Sequence, residues 1–198
     1  MNKNSSISHL RYKLDEAITY GTKIQAIAFA RQGLKEAQSE QLAGEIEYFK
    51  GQIELLKDNY ASAIEHFDAA IKHNSKDGAS YNDRALCMVE LGIIDEALQY
   101  FDKGIEVEPD YATIYHNKGW LLNNIGRHKE AIEYFKKALE LEPVRPVTYD
   151  NLADAYYNLG EYRKSKEAYE KVLQLLKPGR CRSIRKQIKE RIKSINAD

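Results

Sequence analysis

The stretch that decides the fold is Ala112–Arg145, ATIYHNKGWLLNNIGRHKEAIEYFKKALELEPVR. It holds two amphipathic runs of helix length, with Gly126 between them and Pro143 closing the second. In the first run Tyr115, Gly119, Leu122 and Ile125 share one helical face. In the second, Ala131, Ile132, Phe135, Ala138 and Leu139 do the same. This spacing is the signal of an amphipathic α-helix. A helix of about 14 residues is marginal in isolation, so each run must bury its stripe against a neighbour.

The neighbours are copies of the same stretch. Gly92, Gly126 and Gly160 lie 34 residues apart, as do Tyr81, Tyr115 and Tyr149. Ala63, Ala97 and Ala131, continued by Ser165, keep the same period, and so do Phe67, Phe101, Phe135 and Tyr169. Pro109 and Pro143 close two units. Gly51, Ala85, Gly119 and Ala153 form a column of small residues on the first helix, and Ala63, Ala97 and Ala131 form one on the second. Small side chains let two backbones approach closely, and the large aromatics fill the space beside them. The aromatic columns, including Tyr81, Tyr115 and Tyr149, are therefore read as core.

On these columns the chain resembles the tetratricopeptide repeat family, a 34-residue helix-turn-helix repeat. Residues 44–77, 78–111, 112–145 and 146–179 read as four repeats, the first with Glu47 in the tyrosine column and Asp58 at the turn glycine. Residues 7–43 read as a degenerate N-terminal repeat, three residues longer, with Gly21 at its turn and Leu14 in the close-approach column. The last repeat carries Ser165, Lys166 and Val172 in place of earlier residues and ends at Pro178-Gly179. Ile184, Ile188, Ile192 and Ile195 then mark one apolar stripe on a basic helix, 180–197, read as a cap over the final repeat. The resemblance implies an all-α fold: an α-α superhelix, a right-handed solenoid of helix-turn-helix repeats with a C-terminal capping helix, forming one domain over 1–198.

Composition narrows the function classes. Apolar residues make up 43% of the 198, enough for a substantial core. Thirty basic and thirty acidic residues cancel, so no global field recruits nucleic acid or an anionic membrane. Cys87 and Cys181 lie far apart, which fits a reducing compartment. The start, MNKNSSISHL, lacks the apolar core of a signal peptide, and Asn4-Ser5-Ser6 matches a glycosylation acceptor that means little without one. No run reaches the ~18 apolar residues of a membrane span. A cytoplasmic protein without membrane insertion is expected.

Nothing in the chain reads as catalytic. It has no Gly-rich phosphate loop, His-Glu-x-x-His, Cys-x-x-Cys or nucleophile elbow. His9, His66, His73, His116 and His128 are scattered, whereas a metal site needs three or more converging ligands. Cys181, between Arg180 and Arg182, is the one thiol whose surroundings favour the thiolate, and Cys87 falls in an apolar column. The expectation is a non-enzyme without metal, cofactor or small-molecule substrate.

Ligand contacts in the family come mostly from first helices, which line the concave surface. The resemblance therefore implies a peptide-binding groove of Tyr48, Gln52, Asn82, Asp83, Leu86, His116, Asn117, Trp120, Asn123, Asn124, Asp150, Asn151, Asp154, Tyr157 and Asn158. Asp83, Asn117 and Asn151 recur at the repeat period. An amide offers both donors and an acceptor, so such a row can pair with successive peptide groups of an extended chain. This resembles the asparagine ladder of some family members, with Trp120 and Tyr157 as apolar anchors. The Lys/Arg carboxylate clamp of chaperone-binding members is missing from the matching columns, where Tyr48, Asp83, Asn117, Asp150 and Asn151 stand. The acids Asp83, Glu90, Asp150 and Asp154 favour a neutral or basic partner.

Three readings remain open on sequence. The leading one is a non-catalytic protein–protein interaction scaffold that binds a partner peptide or helix in the groove. The second is self-assembly into a homo-oligomer through the C-terminal helix. The third is nucleic-acid or acidic-partner binding through Arg180, Arg182, Arg185, Lys186, Lys189, Arg191 and Lys193, which lack interleaved aromatics for stacking.

Overall fold

The computed structural model describes residues 3–176 and 181–195, with side chains from Ser6 onward. The Pro178-Gly179 break, Arg180 and the side chains of Asn4 and Ser5 lie outside the described residues. Among the described residues the fold is all-α, with eleven helices and no strand. The chain divides into two compact units, Met1–Pro109 and Asp110–Asp198. A solenoid, in which each repeat touches only its neighbours, divides near a repeat boundary without cutting a core.

The first unit holds α1 (Lys3–Tyr20), α2 (Lys23–Ser39), α3 (Ala43–Leu55), α4 (Tyr60–His73), α5 (Gly78–Glu90) and α6 (Ile94–Val107). The second holds α7 (Ala112–Asn124), α8 (His128–Leu141), α9 (Pro146–Asn158), α10 (Tyr162–Leu175) and α11 (Arg182–Ile195). Helices pair as hairpins, α1 with α2, α3 with α4, α5 with α6, α7 with α8 and α9 with α10. Within each unit the second helix of one hairpin packs on the first helix of the next.

Each hairpin closes at its small-residue column. A Cβ placed on Gly119 would stand 2.9 Å from the Phe135 ring, and one on Gly51 would stand 2.7 Å from Phe67. Phe67, Phe101 and Phe135 are fully buried, as are Ala63, Ala97 and Ala131. The tyrosine column stacks on the second helix, Tyr81 on Tyr100 with centroids 6.3 Å apart and Tyr115 on Tyr134 at 6.4 Å. In the preceding hairpin Glu47 and His66 hold the same two positions. There a 2.7 Å contact between the carboxylate and Nδ1 replaces the ring pair. The weak column at Glu47 is thus a paired exchange.

The turns explain the other departure. After α5, the Gly92 amide donates to the Val89 carbonyl and the Ile93 amide to Met88, both at 2.9 Å. These are the two bonds of a Schellman cap, which needs a left-handed residue. Gly126 supplies one at φ 83°, and Asp58 supplies the same turn at φ 64°. The Asn59 amide reaches the Glu54 carbonyl at 2.9 Å, just as Arg127 reaches Leu122 at 2.8 Å. Aspartate tolerates this region better than most residues. The α1–α2 turn is different: Thr22 and Gln25 form a capping box at the start of α2.

The last helix is a cap. Ile188 and Ile195 bury against Ala153, Ala168, Tyr169, Val172 and Leu176, with Ile192 beside them. Arg185 Nη1 donates to the carbonyls of Leu173 at 2.6 Å and Leu176 at 2.9 Å, satisfying two acceptors that α10 leaves open at its C-terminal end. Arg182, Lys186, Lys189 and Lys193 remain exposed. Three of the four isoleucines of the stripe thus pack within the chain, while Ile184 stays 43% exposed beside these basic residues.

A left-handed turn position costs an L-residue about 1–2 kcal/mol and glycine almost nothing. Gly126→Ala is therefore expected to lower stability by roughly 1 kcal/mol, and Asp58→Gly to raise it by up to about the same amount. Urea unfolding followed by circular dichroism checks both. If the two midpoints move the same way, the backbone at these turns does not set their cost.

Candidate functional site

The first-helix columns have different fates in the two units. In the first unit most of them are closed. Tyr48 is buried beneath the Arg11 guanidinium, which sits 3.7 Å above its ring. Arg11 is held by a fork, Nη1 and Nη2 each 2.8 Å from an Asp77 oxygen, and by Glu45 at 2.9 Å from Nε. Asp77 also accepts from Ser80 Oγ at 2.5 Å. Burial alone would push the Asp77 carboxyl up, but the Arg11 fork outweighs it and holds the group below its ordinary value. Glu45, desolvated more than it is compensated, is raised.

One turn along, Gln52 and Asn82 are each 1% exposed and both donate to Asp83, Asn82 Nδ2 at 2.8 Å. Gln52 Oε1 has no hydrogen-bond partner. Burial pushes Asp83 up to about 7, against the opposing bond from Asn82 and with Asp77 and Asp15 adding repulsion. Gln52 and Asn82 therefore spend their amide nitrogens on Asp83. Leu86 alone of the five sequence-read positions in this unit keeps a partly open apolar side chain.

In the second unit the columns stay more open. His116 is the exception at 7% exposure, with Nδ1 3.0 Å from Thr148 Oγ1 and Nε2 3.4 Å from Asn151 Nδ2. Burial, reinforced by the Arg145 charge, lowers its pKa to about 3, so the imidazole is neutral. Asn117 and Trp120 are half-buried, and Asn124 and Asn158 are exposed. Asn158 Nδ2 lies 3.4 Å from Asn123 Oδ1, which also meets His128 Nδ1 at 2.7 Å. Tyr157, 39% exposed, leans on Tyr162 with centroids 5.4 Å apart. The face shared by α7 and α9 thus carries amides from both helices, flanked by two aromatics.

The acids at the end of this face are already answered. Arg191 of α11 reaches Asp150 at 3.0 Å and Asp154 at 3.1 Å, and Asp154 also accepts from the Tyr169 hydroxyl. Burial still raises Asp150, with Arg191 opposing. The basic-partner preference read from Asp150 and Asp154 is weakened for this reason. Sequence reasoning grouped Arg191 with a nucleic-acid patch and missed Arg11 entirely. Neither repeats at the 34-residue period, and the columns they serve are not otherwise acidic, so no column signals them.

Among the described residues no group of three His, Cys, Asp or Glu side chains could hold a metal ion. Cys87 is buried and its thiol is pushed up to about 12, mainly by desolvation, so it is not poised as a nucleophile. No described helix is long and apolar enough to cross a membrane.

Three comparisons bear on the family and the fold. Models of the tetratricopeptide repeat match residues 50–106, 112–145 and 146–177. A comparison with curated proteins finds no match. Among solved structures, a thermophilic tetratricopeptide repeat protein from Thermus thermophilus superposes with a TM-score of 0.72 at 19% identity, over 97% of this chain and 100% of that one. The MamA protein superposes at 0.61 and 18% identity, over 87% and 92%. YrrB, a tetratricopeptide repeat protein with an unusual peptide-binding site, superposes at 0.58 and 19%, over 90% and 94%. At these identities the likeness is one of fold.

The two buried groups give opposite pH dependences. Unfolded, His116 takes a proton near 6.5, but folded it resists until about 3, so the second unit loses stability as pH falls below 6.5. Asp83 holds its proton to about 7 when folded but loses it near 3.8 when unfolded, so the first unit loses stability as pH rises from about 4 to 7. Asp83→Asn, neutral at every pH, is expected to raise the thermal midpoint more at pH 8 than at pH 4. Equal shifts at both pH values sink the assignment.

Proposed function

We propose, from the premise that this chain belongs to the tetratricopeptide repeat family, that it is a non-catalytic scaffold which grips an extended peptide segment of a partner protein along the α7–α9 face. The observation that carries the reading is the set of amides there: Asn117, Asn123 and Asn124 on one helix, Asn151 and Asn158 on the next, of which Asn124 and Asn158 are exposed and the other three half-buried. A peptide strand laid over them exchanges the long Asn158–Asn123 contact for bonds to its own backbone, which makes the grip tolerant of sequence. Trp120 and Tyr157 supply flat apolar surface of the kind that anchors interfaces. The repeats taken as 44–77, 78–111, 112–145 and 146–179, between a degenerate repeat at 7–43 and a cap at 180–197, present this face once in the second unit.

The reading leaves Tyr48, Gln52, Asn82, Asp83 and His116 as structural residues whose polar atoms serve the fold. Asp150 and Asp154 anchor the cap through Arg191. Arg191, Arg185, Ile188 and Ile195 tie α11 to its own last repeat, which favours a cap over an oligomer contact. A cytoplasmic setting agrees with the free thiols of Cys87 and Cys181.

The test is affinity capture from the native lysate with the full chain, compared with Asn117→Ala/Asn151→Ala and with Asn124→Ala/Asn158→Ala. Both variants are expected to keep the helical circular dichroism of the parent and to lose its specific partners by about tenfold or more, the worth of one to two net hydrogen bonds. Retrieval of the same partners in the same amounts by both variants overturns the reading.

A further inference from the structure

The first unit carries an apolar cleft of about 390 Å³ that the amide face does not use. It opens where three successive first helices end. Ile18 comes from α1, Leu55 and the following Leu56 from α3, and Leu86 from α5, with Tyr60 at the start of α4. The repeat period shows why it is apolar. The columns that read Asn123 and Asn124 in α7 read Leu55 and Leu56 in α3, 68 residues earlier. The column of Trp120 reads Leu86 in α5. The same scaffold positions therefore present amides in one unit and leucines in the other.

Two further features mark the cleft as more than a packing gap. Ile18 is 49% exposed although it lines the wall, and Tyr20 and Ile24, next along the chain, are 60% and 81% exposed. Large apolar residues left exposed beside an apolar cleft are the mark of an interaction surface. The rim is acidic on balance. Asp58 is matched by Lys23 at 2.6 Å, while Glu90 is exposed with no cationic partner among the described residues. Both Asp58 and Glu90 line the opening.

We propose that this cleft is a docking pocket for a bulky apolar side chain of a partner protein segment that carries a Lys or Arg beside it. The side chain seats between Leu55, Leu86 and Ile18, and the neighbouring cation pairs with Glu90. The proposal rests on the reading of the chain as a protein-binding scaffold but uses none of its amide residues, so the two fail separately.

The experiment is selection of a phage-displayed library of random linear 12-residue peptides on the full chain, followed by fluorescence anisotropy of the enriched peptides. Enrichment of Leu, Ile, Met or Phe next to Lys or Arg is expected. Leu86→Arg and the half-exposed Ile18→Arg are each expected to weaken the selected peptides by about tenfold or more, the worth of one buried aliphatic side chain. Glu90→Lys is expected to reverse the preference for a basic neighbour. Because Ile18 is half exposed, the Ile18→Arg variant keeps the test valid if Leu86→Arg fails to fold. The proposal is overturned by no enrichment, by peptides that bind Ile18→Arg undiminished, or by peptides lost only on Asn117→Ala/Asn151→Ala. The last would leave the amide-face reading standing. A concentration-dependent dimer abolished by Ile18→Arg would assign the cleft to a second copy and overturn it as well.

Discussion

The whole structure depends on how closely two helices of a hairpin approach. In each repeat a small residue on the first helix leaves room for an aromatic ring from the second, 16 positions later: Gly51 with Phe67, Ala85 with Phe101, Gly119 with Phe135, Ala153 with Tyr169. Under Gly51 and Gly119 the ring occupies the space a Cβ would need. The N-terminal hairpin obeys the same volume rule with the sizes exchanged. Leu14 stands on the first helix and Ala30 on the second, again 16 apart and both buried. Conserving volume while trading shape is the kind of change that packed cores tolerate. The contact also sets which first-helix residues turn away from the hairpin interior, and these are the positions left for function.

Those outward columns do not share one chemistry. Asp83 and Asn117 are the same column one repeat apart, yet Asp83 is enclosed by Gln52 and Asn82 whereas Asn117 is half-open. A carboxylate cannot stay buried and charged without a cation in contact. Arg11, whose charge opposes the effect of burial, is committed to Asp77 and Glu45, so Asp83 responds by retaining its proton to near neutrality. His116 solves the same problem by discarding its proton. Between about pH 3 and 7 both are neutral, and both have traded contact with solvent for contact with their neighbours.

The repeat period carried most of the fold into the sequence because packing repeats with it. The small columns, the aromatic columns and the left-handed turns all recur at 34, and even the exceptions obey the geometry. Glu47 departs from tyrosine together with His66, the residue it faces, and Asp58 takes the backbone angle of the glycines it replaces. What stayed hidden was aperiodic. Arg11 reaches residues 34 and 66 positions away and Arg191 one 41 positions away, through long side chains that no column predicts. Columns say which way a residue points, but not whether a cation from another helix has already arrived there.

The two ends of the chain meet the problem of termination differently. At the C-terminal end, α11 buries Ile188 and Ile195, turns Arg182, Lys186, Lys189 and Lys193 outward and leaves Ile184 43% exposed. Arg191 also neutralises the acids of α9, and the cap thereby fixes both the packing and the charge of the last repeat. The N-terminal hairpin buries Ile7, Leu10, Leu14 and Ala17 on one stripe of α1 yet leaves Tyr12, Ile18 and Tyr20 exposed, with Ile24 following on α2. Leaving a large apolar side chain in water forgoes about 1.5–3 kcal/mol of burial. Four such residues fall within thirteen positions here, and a partner that covers them recovers that burial on binding.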